Sequence, residues 1–275
     1  MVDRPPRLQV SPHGEPARRA LAATIAAAKQ GDPLHPVTVV MPSALAATTV
    51  RRALAREGMV ATEFVALPAL VQRLAASAMA RDQRASIRPI EQRMYVRAAL
   101  VDGHGRMAAL ARHPATLAAL ADTFRELRTL DAAQLAALAA VSQRASDVID
   151  LFRSYRRLVS DRLDEHDVLV MAAAAVRAGE PVVDEIGAVI VYVPRHLAGP
   201  ELDVLAALAE RDALSVIASD DDIAASLVPM LGPSARADDV GAEHRRPDAA
   251  RSAGVARQWP PSRRVDAAAP VGPDP

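Results

Sequence analysis

Short apolar runs alternate with alanine-rich helical stretches over the first 80 residues of the chain. The runs at 7–11, Val37–Met41 and 62–65 predict strands, and Val37–Met41 is apolar at nearly every position, as in a strand that is buried on both faces. Residues 15–30 carry apolar positions at helical spacing, and Ser43 stands where it would cap a second helix. This alternation of strand and helix is typical of parallel βαβ units.

The pattern changes between residues 89 and 180, where the β-branched runs disappear. In the fourth helical segment of this region, an apolar stripe with Phe152 and Tyr155 is separate from the arginines on the other faces. We therefore predict an all-helical region. Its five consecutive segments with helical periodicity are 90–101, 114–130, 131–141 (capped by Asp131), 146–163 and 165–178.

Strands and helices alternate again after residue 181. The runs at 188–193 and 214–218 predict buried strands, and a helix at 200–211 separates them. The acidic triplet at 220–222 predicts the start of a short helix that ends near Met230, because carboxylates stabilise a helix N-terminus.

Regular patterns end at about residue 231, and eight of the 21 prolines lie from position 229 onward. Neither a helical nor a strand period survives there, which predicts a disordered tail. The sequence thus predicts an α/β unit with a parallel sheet, formed by residues 1–88 and 181–230. A helical insertion at 89–180 interrupts this unit, and a proline-rich tail at 231–275 follows it.

Composition excludes several classes of protein. The 33 basic and 33 acidic residues give a formal net charge of zero, which argues against histone-like binding of nucleic acid. The chain has no cysteine, which excludes disulfides, thiolate metal sites and thiol nucleophiles. No uncharged apolar run approaches the ~18 residues of a membrane span, and no secretory signal is visible, so we expect a cytoplasmic protein without a membrane partner.

The first strand–turn–helix unit is where an NTPase would carry its phosphate-binding loop. Residues 11–18 read SPHGEPAR, with one glycine, two prolines that cannot donate a backbone N–H, and Glu15 where phosphate would lie. Lys29, the only lysine of the chain, lies several helical turns downstream. The strand at 188–193 is followed by no acid that could hold magnesium, and Asp184 and Glu185 precede it. These residues predict no nucleotide cofactor and no catalytic constellation.

Metal sites and hydrolytic nucleophiles are also not expected. None of the seven histidines forms a pair four residues apart on a helix, and we interpret all of them as surface residues. Glu165, His166 and Asp167 are direct neighbours on a predicted helix, so their side chains diverge and cannot bind one ion. No serine lies in a Gly-x-Ser-x-Gly elbow, and the triplet at 220–222 is better explained as a helix cap than as a cation site.

Arginines on two predicted helices are the candidate DNA-binding residues. Arg153, Arg156 and Arg157 share one helix, and Arg125 and Arg128 share the helix before it. Guanidinium groups suit contacts with phosphate. The alternative is a salt-bridged surface, because three acids, Asp150, Asp161 and Glu126, are close enough in sequence to pair with these arginines.

Several segments, taken in order, resemble a known family. Residues 36–43 (PVTVVMPS) and the arginine-rich helix after them resemble the second strand of the N-terminal domain in AddB-type subunits of helicase–nucleases. The resemblance continues over residues 7–219 through 63–70 (EFVALPAL), 124–128 (FRELR), 148–164 and 188–194. By this collinear series the chain is similar to actinobacterial PD-(D/E)XK nuclease superfamily proteins of the AddB-like helicase/deoxyribonuclease type.

The resemblance implies a RecA-like (P-loop NTPase-type) helicase lobe with an inserted helical subdomain. In this family such a lobe is often a degenerate motor that holds DNA and a helicase or nuclease partner subunit during DNA double-strand-break repair. The family's nuclease signature lies far downstream in a longer chain, so we expect a truncated or frame-shifted product without a nuclease domain. The proline-rich tail departs from the family pattern at that point.

Two alternatives stay open on the sequence alone. The chain could be a protein-interaction scaffold that makes no contact with DNA, or an ATPase that retains nucleotide binding. Whether it is an enzyme is equally open, because the family is an ATP-dependent helicase/exodeoxyribonuclease while these residues contain no catalytic set.

Overall fold

The computed structural model describes residues 7–55, 59–102, 107–194, 197 and 199–231. The strands of the main sheet are β1 (Leu8–Val10), β2 (Val37–Met41), β3 (Thr62–Ala66), β6 (Ala188–Tyr192) and β7 (Leu214–Ala218). A separate two-stranded sheet contains β4 (Ala85–Ser86) and β5 (Arg162–Leu163). The helices are α1 (Glu15–Lys29), α2 (Ala44–Leu54), α3 (Leu67–Asp82), α4 (Pro89–Asp102), α5 (Pro114–Leu127), α6 (Ala132–Ala140), α7 (Gln143–Leu158), α8 (Glu165–Ala178), α9 (Pro181–Ile186), α10 (Gly199–Glu210) and α11 (Asp221–Leu231), with a 3-10 helix at Ala108–Arg112.

The five strands of the main sheet are all parallel and have the order β1-β7-β6-β2-β3. Val39 of β2 is paired with Ile190 of β6 on one side and with Phe64 of β3 on the other. In the sequence, the helical region lies between β3 and β6. The prediction of an α/β protein with an interrupted parallel sheet is therefore confirmed at this level.

Both faces of the sheet are covered by helices, as the apolar β2 sequence predicts. Alternate residues point to opposite faces, so Val39 and Ile190 pack with α1 and α2, whereas Val40 and Val191 pack with α3, α8, α10 and α11. The buried Thr38 of β2 donates a hydrogen bond from Oγ1 to the carbonyl of Ile186 at 2.8 Å. This bond pairs a polar side chain that would otherwise be costly to bury.

A third apolar core joins α4, α5 and α7 with the 3-10 helix. Phe124, Phe152 and Tyr155 meet at its centre, with ring centroids 5.5 Å apart for Phe124–Phe152 and 5.1 Å apart for Phe124–Tyr155. Helix α8 belongs to the predicted helical region by sequence, but its buried face packs with α3 and α10 in the core of the sheet. Helix α6 has no buried residue, although Gln134 is its only polar one.

The prediction of a helix at 146–163 is wrong at both ends. Helix α7 begins earlier, after Ser142, whose Oγ accepts a hydrogen bond from Ala145 N, and it ends at Leu158. Arg162 and Leu163 form β5 instead, so the region is not all-helical. The reason is tertiary: Leu163 is fully buried, and its carbonyl accepts a hydrogen bond from Ile87 N at 2.8 Å.

Local signals explain most of the other boundaries. Ser43 and Asp131 cap α2 and α6 as predicted, and Asp131 forms a complete capping box with Gln134. Asp220 begins α11 by accepting a hydrogen bond from Ile223 N at 2.9 Å, which confirms the helix-cap interpretation of the acidic triplet. The predicted tail at 231–275 lies, apart from Leu231, outside the described residues.

Candidate functional site

The start of α1 does not have the form of a phosphate-binding loop. Strand β1 lies at the edge of the sheet, and Gly14 precedes α1 with a φ of 97°. Glu15, the first residue of the helix, forms ion pairs with Arg18 and, at 3.2 Å, with Arg19. The hydrogen bond and the charge of Arg18 lower the pKa of Glu15 below its ordinary value. A fixed carboxylate therefore stands at the positive end of this helix, where a phosphate would bind.

The strands next to β2 and β6 are added in opposite directions: β2 is followed by β3 on one side, and β6 is followed by β7 on the other. Open parallel sheets bind ligands at the strand ends at such a position. After β2, Ser43 Oγ accepts a hydrogen bond from Ala46 N at 3.2 Å and so caps its own helix. After β6 come Val193 and Pro194, neither of which is acidic.

Lys29, the only lysine, has a structural position. Its Nζ donates hydrogen bonds to the carbonyls of Pro33, His35 and Val60 at 2.9, 3.1 and 2.6 Å. An ammonium group has three donors, and all three are used here. The contacts tie the end of α1 to the chain that enters β2 and β3, so Lys29 is not placed to bind phosphate.

Four of the five predicted arginines line one surface groove, which we call the arginine groove. Its volume is about 750 Å³. Four of the lining residues are apolar, and Asp150 is the only acid that the described part of the chain contributes to the lining. The groove is lined by Leu127, Arg128, Leu130, Leu135, Asp150, Phe152, Arg153, Ser154, Arg156 and Arg157.

The arginines of the groove differ in how firmly they are held. Arg128 donates to Asp164 at 3.0 Å and to Asp167 at 2.6 Å, and Arg156 donates to Asp164 at 2.7 Å. Arg153 forms a more exposed pair with Asp150 at 2.9 Å. Arg157 donates a hydrogen bond to Ser154 Oγ at 2.9 Å. Arg153 and Arg157 are therefore the groove cations that a phosphate could reach at little cost, because exposed pairs contribute little to stability.

Arg125 lies apart from the groove. It forms ion pairs with Asp122 at 3.0 Å and with Glu165 at 2.9 Å. Of the acids expected to pair with the five arginines, only Asp150 does so. Asp161 lies 3.9 Å from Arg162 instead, and among the described residues no ion pair joins Glu126 to Arg125 or Arg128.

Asp164 is the centre of the charge network, and it is nearly buried, with its side chain 14% exposed. Burial alone would raise the pKa of Asp164. The backbone N–H of Asp167 and the guanidinium groups of Arg128 and Arg156 outweigh burial and hold that pKa below its ordinary value. Asp164 and Asp167 also form the capping box of α8. This carboxylate therefore stays charged and orients two arginines at once.

A cavity of about 360 Å³ shares Arg128 and Phe152 with the arginine groove. Burial, with Asp164 nearby, raises the pKa of the Tyr155 hydroxyl in its lining to about 12. His166 lies in the same lining and is half-buried, so its interpretation as a surface residue is wrong. Its Nδ1, like Ser86 Oγ, is buried without a hydrogen-bond partner, and burial together with the charge of Arg128 lowers the pKa of His166.

The other described histidines, His13, His35 and His113, are exposed as expected, whereas His104, His196 and His244 lie outside the described residues. Within the described ranges, no three His, Asp or Glu side chains converge as a metal site would require. Among the helices of those ranges, none combines the length and the apolar character that crossing a bilayer requires.

Sequence reasoning found the arginines but missed their partners, Asp164 and Asp167. A signal was present, because two acids three residues apart directly before an apolar helical pattern indicate a capping box. Such a box fixes the backbone at the start of α8 and thereby the position of Asp164.

Comparison with known proteins identifies no relative of this chain. No protein-family model matches the chain, and no curated protein matches it in a sequence search.

Proposed function

We propose that this chain is a non-catalytic, helicase-like lobe that holds DNA through the arginine groove, as part of a helicase–nuclease that processes double-strand breaks. The observation that carries the proposal is the convergence of Arg128, Arg153, Arg156 and Arg157 on one groove of the helical region. The parallel sheet interrupted by helices, and the Glu15 carboxylate at the start of α1, are consistent with a motor fold that does not hydrolyse ATP.

The groove divides its cations between two roles. Arg128 and Arg156 are held by Asp164 and fix α5 and α7 against the start of α8. Arg153 and Arg157 are the outer pair, one turn apart on the exposed side of α7. Phosphate can replace Asp150 and Ser154 as their partners, because guanidinium binds phosphate oxygens with two parallel donors.

The salt dependence of DNA binding tests this proposal. Binding of a short fluorescent duplex is measured by anisotropy over a range of salt concentrations, for the full chain and for Arg153→Ala/Arg157→Ala. The slope of log affinity against log salt has a magnitude of about 0.9 per phosphate contact. In the double variant, this magnitude is therefore expected to be smaller by about 2 than in the unmodified chain.

The matched control is Arg51→Ala/Arg52→Ala, which removes two exposed cations from the last turn of α2, on a helix of the sheet unit. It has the same net charge as the groove variant. The proposal fails if both double variants lose affinity equally, because non-specific attraction would then explain the binding. It also fails if the unmodified chain shows no salt-sensitive affinity for DNA.

A further inference from the structure

Helix α4 carries an apolar stripe on its solvent face. Ile90, Met94 and Val101 are 56%, 65% and 57% exposed. Their spacings of four and seven residues place them in one line along the helix. A line of large exposed apolar side chains on one helix is unusual for a surface that faces only water.

The opposite face of α4 is fully occupied. Val96, Ala99 and Leu100 are buried in the core that α4 shares with α5 and α7. The helix therefore cannot rotate to bury the outer stripe without exposing these residues. Such a helix, apolar on both sides, is expected where the outer side meets another molecule.

Two arginines flank the stripe on the same solvent face. Arg93 and Arg97 follow Ile90 by three and seven residues, and both are exposed. In the described part of the chain neither guanidinium has an ion-pair or hydrogen-bond partner, whereas the neighbouring Arg88 is bound to Glu91 at 2.8 Å. The outer face of α4 thus combines an apolar line with two unpaired positive charges.

We propose that this face, the α4 face (Ile90, Arg93, Met94, Arg97 and Val101), docks an acidic amphipathic helix of a partner protein. The partner's apolar ridge lies against Ile90, Met94 and Val101, and carboxylates on one side of that ridge meet Arg93 and Arg97. An apolar line at helical spacing matches the contacts of one helix laid along another. DNA fits this face less well, because phosphates would leave the three apolar side chains in contact with polar groups.

The site is independent of the arginine groove, because it lies on a different helix and shares no residue with that groove. The two proposals can therefore fail separately. A helix that docks here would leave Arg153 and Arg157 unchanged.

The test uses the full chain and two labelled peptides of the same designed amphipathic helix. Both carry leucines at spacings of three and four residues, flanked by glutamates in the first peptide and by lysines in the second. Anisotropy is expected to show that the unmodified chain binds the glutamate peptide at least about tenfold more tightly, equivalent to about 1.4 kcal/mol. Arg93→Glu/Arg97→Glu is expected to reverse the preference, a result that a merely structural role of the arginines would not give.

Two further variants make the result specific. Met94→Gln/Val101→Gln keeps the charges and is expected to weaken binding of the glutamate peptide about tenfold. Arg51→Glu/Arg52→Glu changes the net charge by the same amount, but on α2. It is expected to leave the preference for the glutamate peptide unchanged.

Three outcomes would overturn the proposal. In the first, the preference persists in Arg93→Glu/Arg97→Glu. In the second, a DNA duplex competes with the glutamate peptide and loses affinity in that variant, so the ligand is nucleic acid. In the third, light scattering shows an oligomer of the unmodified chain that Met94→Glu dissociates, so the face is covered by a second copy of this chain.

Discussion

Arg128 Nε lies 3.0 Å from Asp164 Oδ2, and this contact joins the end of the fifth helix to the beginning of the eighth. The same oxygen accepts a hydrogen bond from Arg156 at 2.7 Å. Helix α8 packs in the core of the sheet, whereas α5 and α7 form the core of the helical region. One nearly buried carboxylate therefore connects the two parts of the fold.

Asp164→Asn is expected to lower the free energy of unfolding by about 2 kcal/mol, because two guanidinium groups lose their shared charged partner. Asparagine still caps a helix, so α8 keeps its N-terminal hydrogen bond. Urea unfolding at neutral pH measures the loss. Asp150→Asn is the matched control, since it breaks the exposed pair with Arg153 and is expected to cost less than about 0.5 kcal/mol. Equal losses of unfolding free energy in the two variants would contradict the claim that Asp164 stabilises the fold more than an exposed ion-pair partner.

The contribution of Asp164 is expected to depend on pH. Its folded-state pKa lies below the ordinary 3.8, so the unfolded chain takes up this proton more readily than the folded one. The stabilisation is therefore complete well above pH 3.8 and is lost as the pH falls through the lowered pKa. The difference in unfolding free energy between the unmodified chain and Asp164→Asn should shrink in that acid range. A difference that stays constant down to the lowest pH at which the chain folds would refute this.

Tyr155 is expected to limit stability at alkaline pH. Burial raises its pKa from 10.0 to about 12, so the folded state favours the neutral phenol. The stabilisation is fully present below pH 10 and declines as the pH rises towards 12. Tyr155→Phe is expected to make the fall of unfolding free energy across this range less steep. Denaturant unfolding at several alkaline pH values measures it, and an unchanged slope would exclude the role.

Gly187→Ala is expected to be strongly destabilising, at about 3 kcal/mol or more. Gly187 has a φ of +63°, and an added Cβ would lie 1.9 Å from the carbonyl oxygen of Pro36, which is backbone and cannot move aside. Gly14→Ala is the matched control, because Gly14 also has a positive φ but nothing lies within 4 Å of its added Cβ. Its expected cost is about 1 kcal/mol. Thermal unfolding of the two variants should separate the steric clash from the backbone strain.

Lys29→Met is expected to cost about 1 kcal/mol, because the carbonyls of Pro33, His35 and Val60 lose a common donor. Lys29→Arg should not restore the full stability, since a planar guanidinium cannot direct three donors at three converging carbonyls. Chemical denaturation compares the two variants. Full stability in Lys29→Arg would show that charge alone is sufficient at this position.

The strands of the main sheet could be predicted because their signals are local. β2 and β7 have the predicted bounds, and strand β6 ends one residue before the predicted end. A strand that is buried on both faces must be apolar throughout, so its ends are marked by the first proline or polar residue. Pro42 directly follows β2, whereas Val193 separates the end of β6 from Pro194.

The sequence could not reveal contacts that depend on distant residues. The strand pair of Ala85–Ser86 and Arg162–Leu163 has no periodicity of its own and exists because Leu163 is buried between helices. Likewise, Arg128 and Asp164 are 36 residues apart, so no helical spacing relates them. The sequence could predict the arginines of the groove. It could not predict that Arg128 and Arg156 are bound by Asp164 while Arg153 and Arg157 stay exposed, because that difference depends on how α5, α7 and α8 pack.

The position of Lys29 has a practical consequence for work on this protein. Because the chain contains a single lysine, an amine-reactive dye has one side-chain target. That amine is engaged by three carbonyls from two connecting segments, so its reaction with the dye requires these hydrogen bonds to break. The rate of labelling at Lys29 would therefore report how often these three hydrogen bonds break, without any introduced probe.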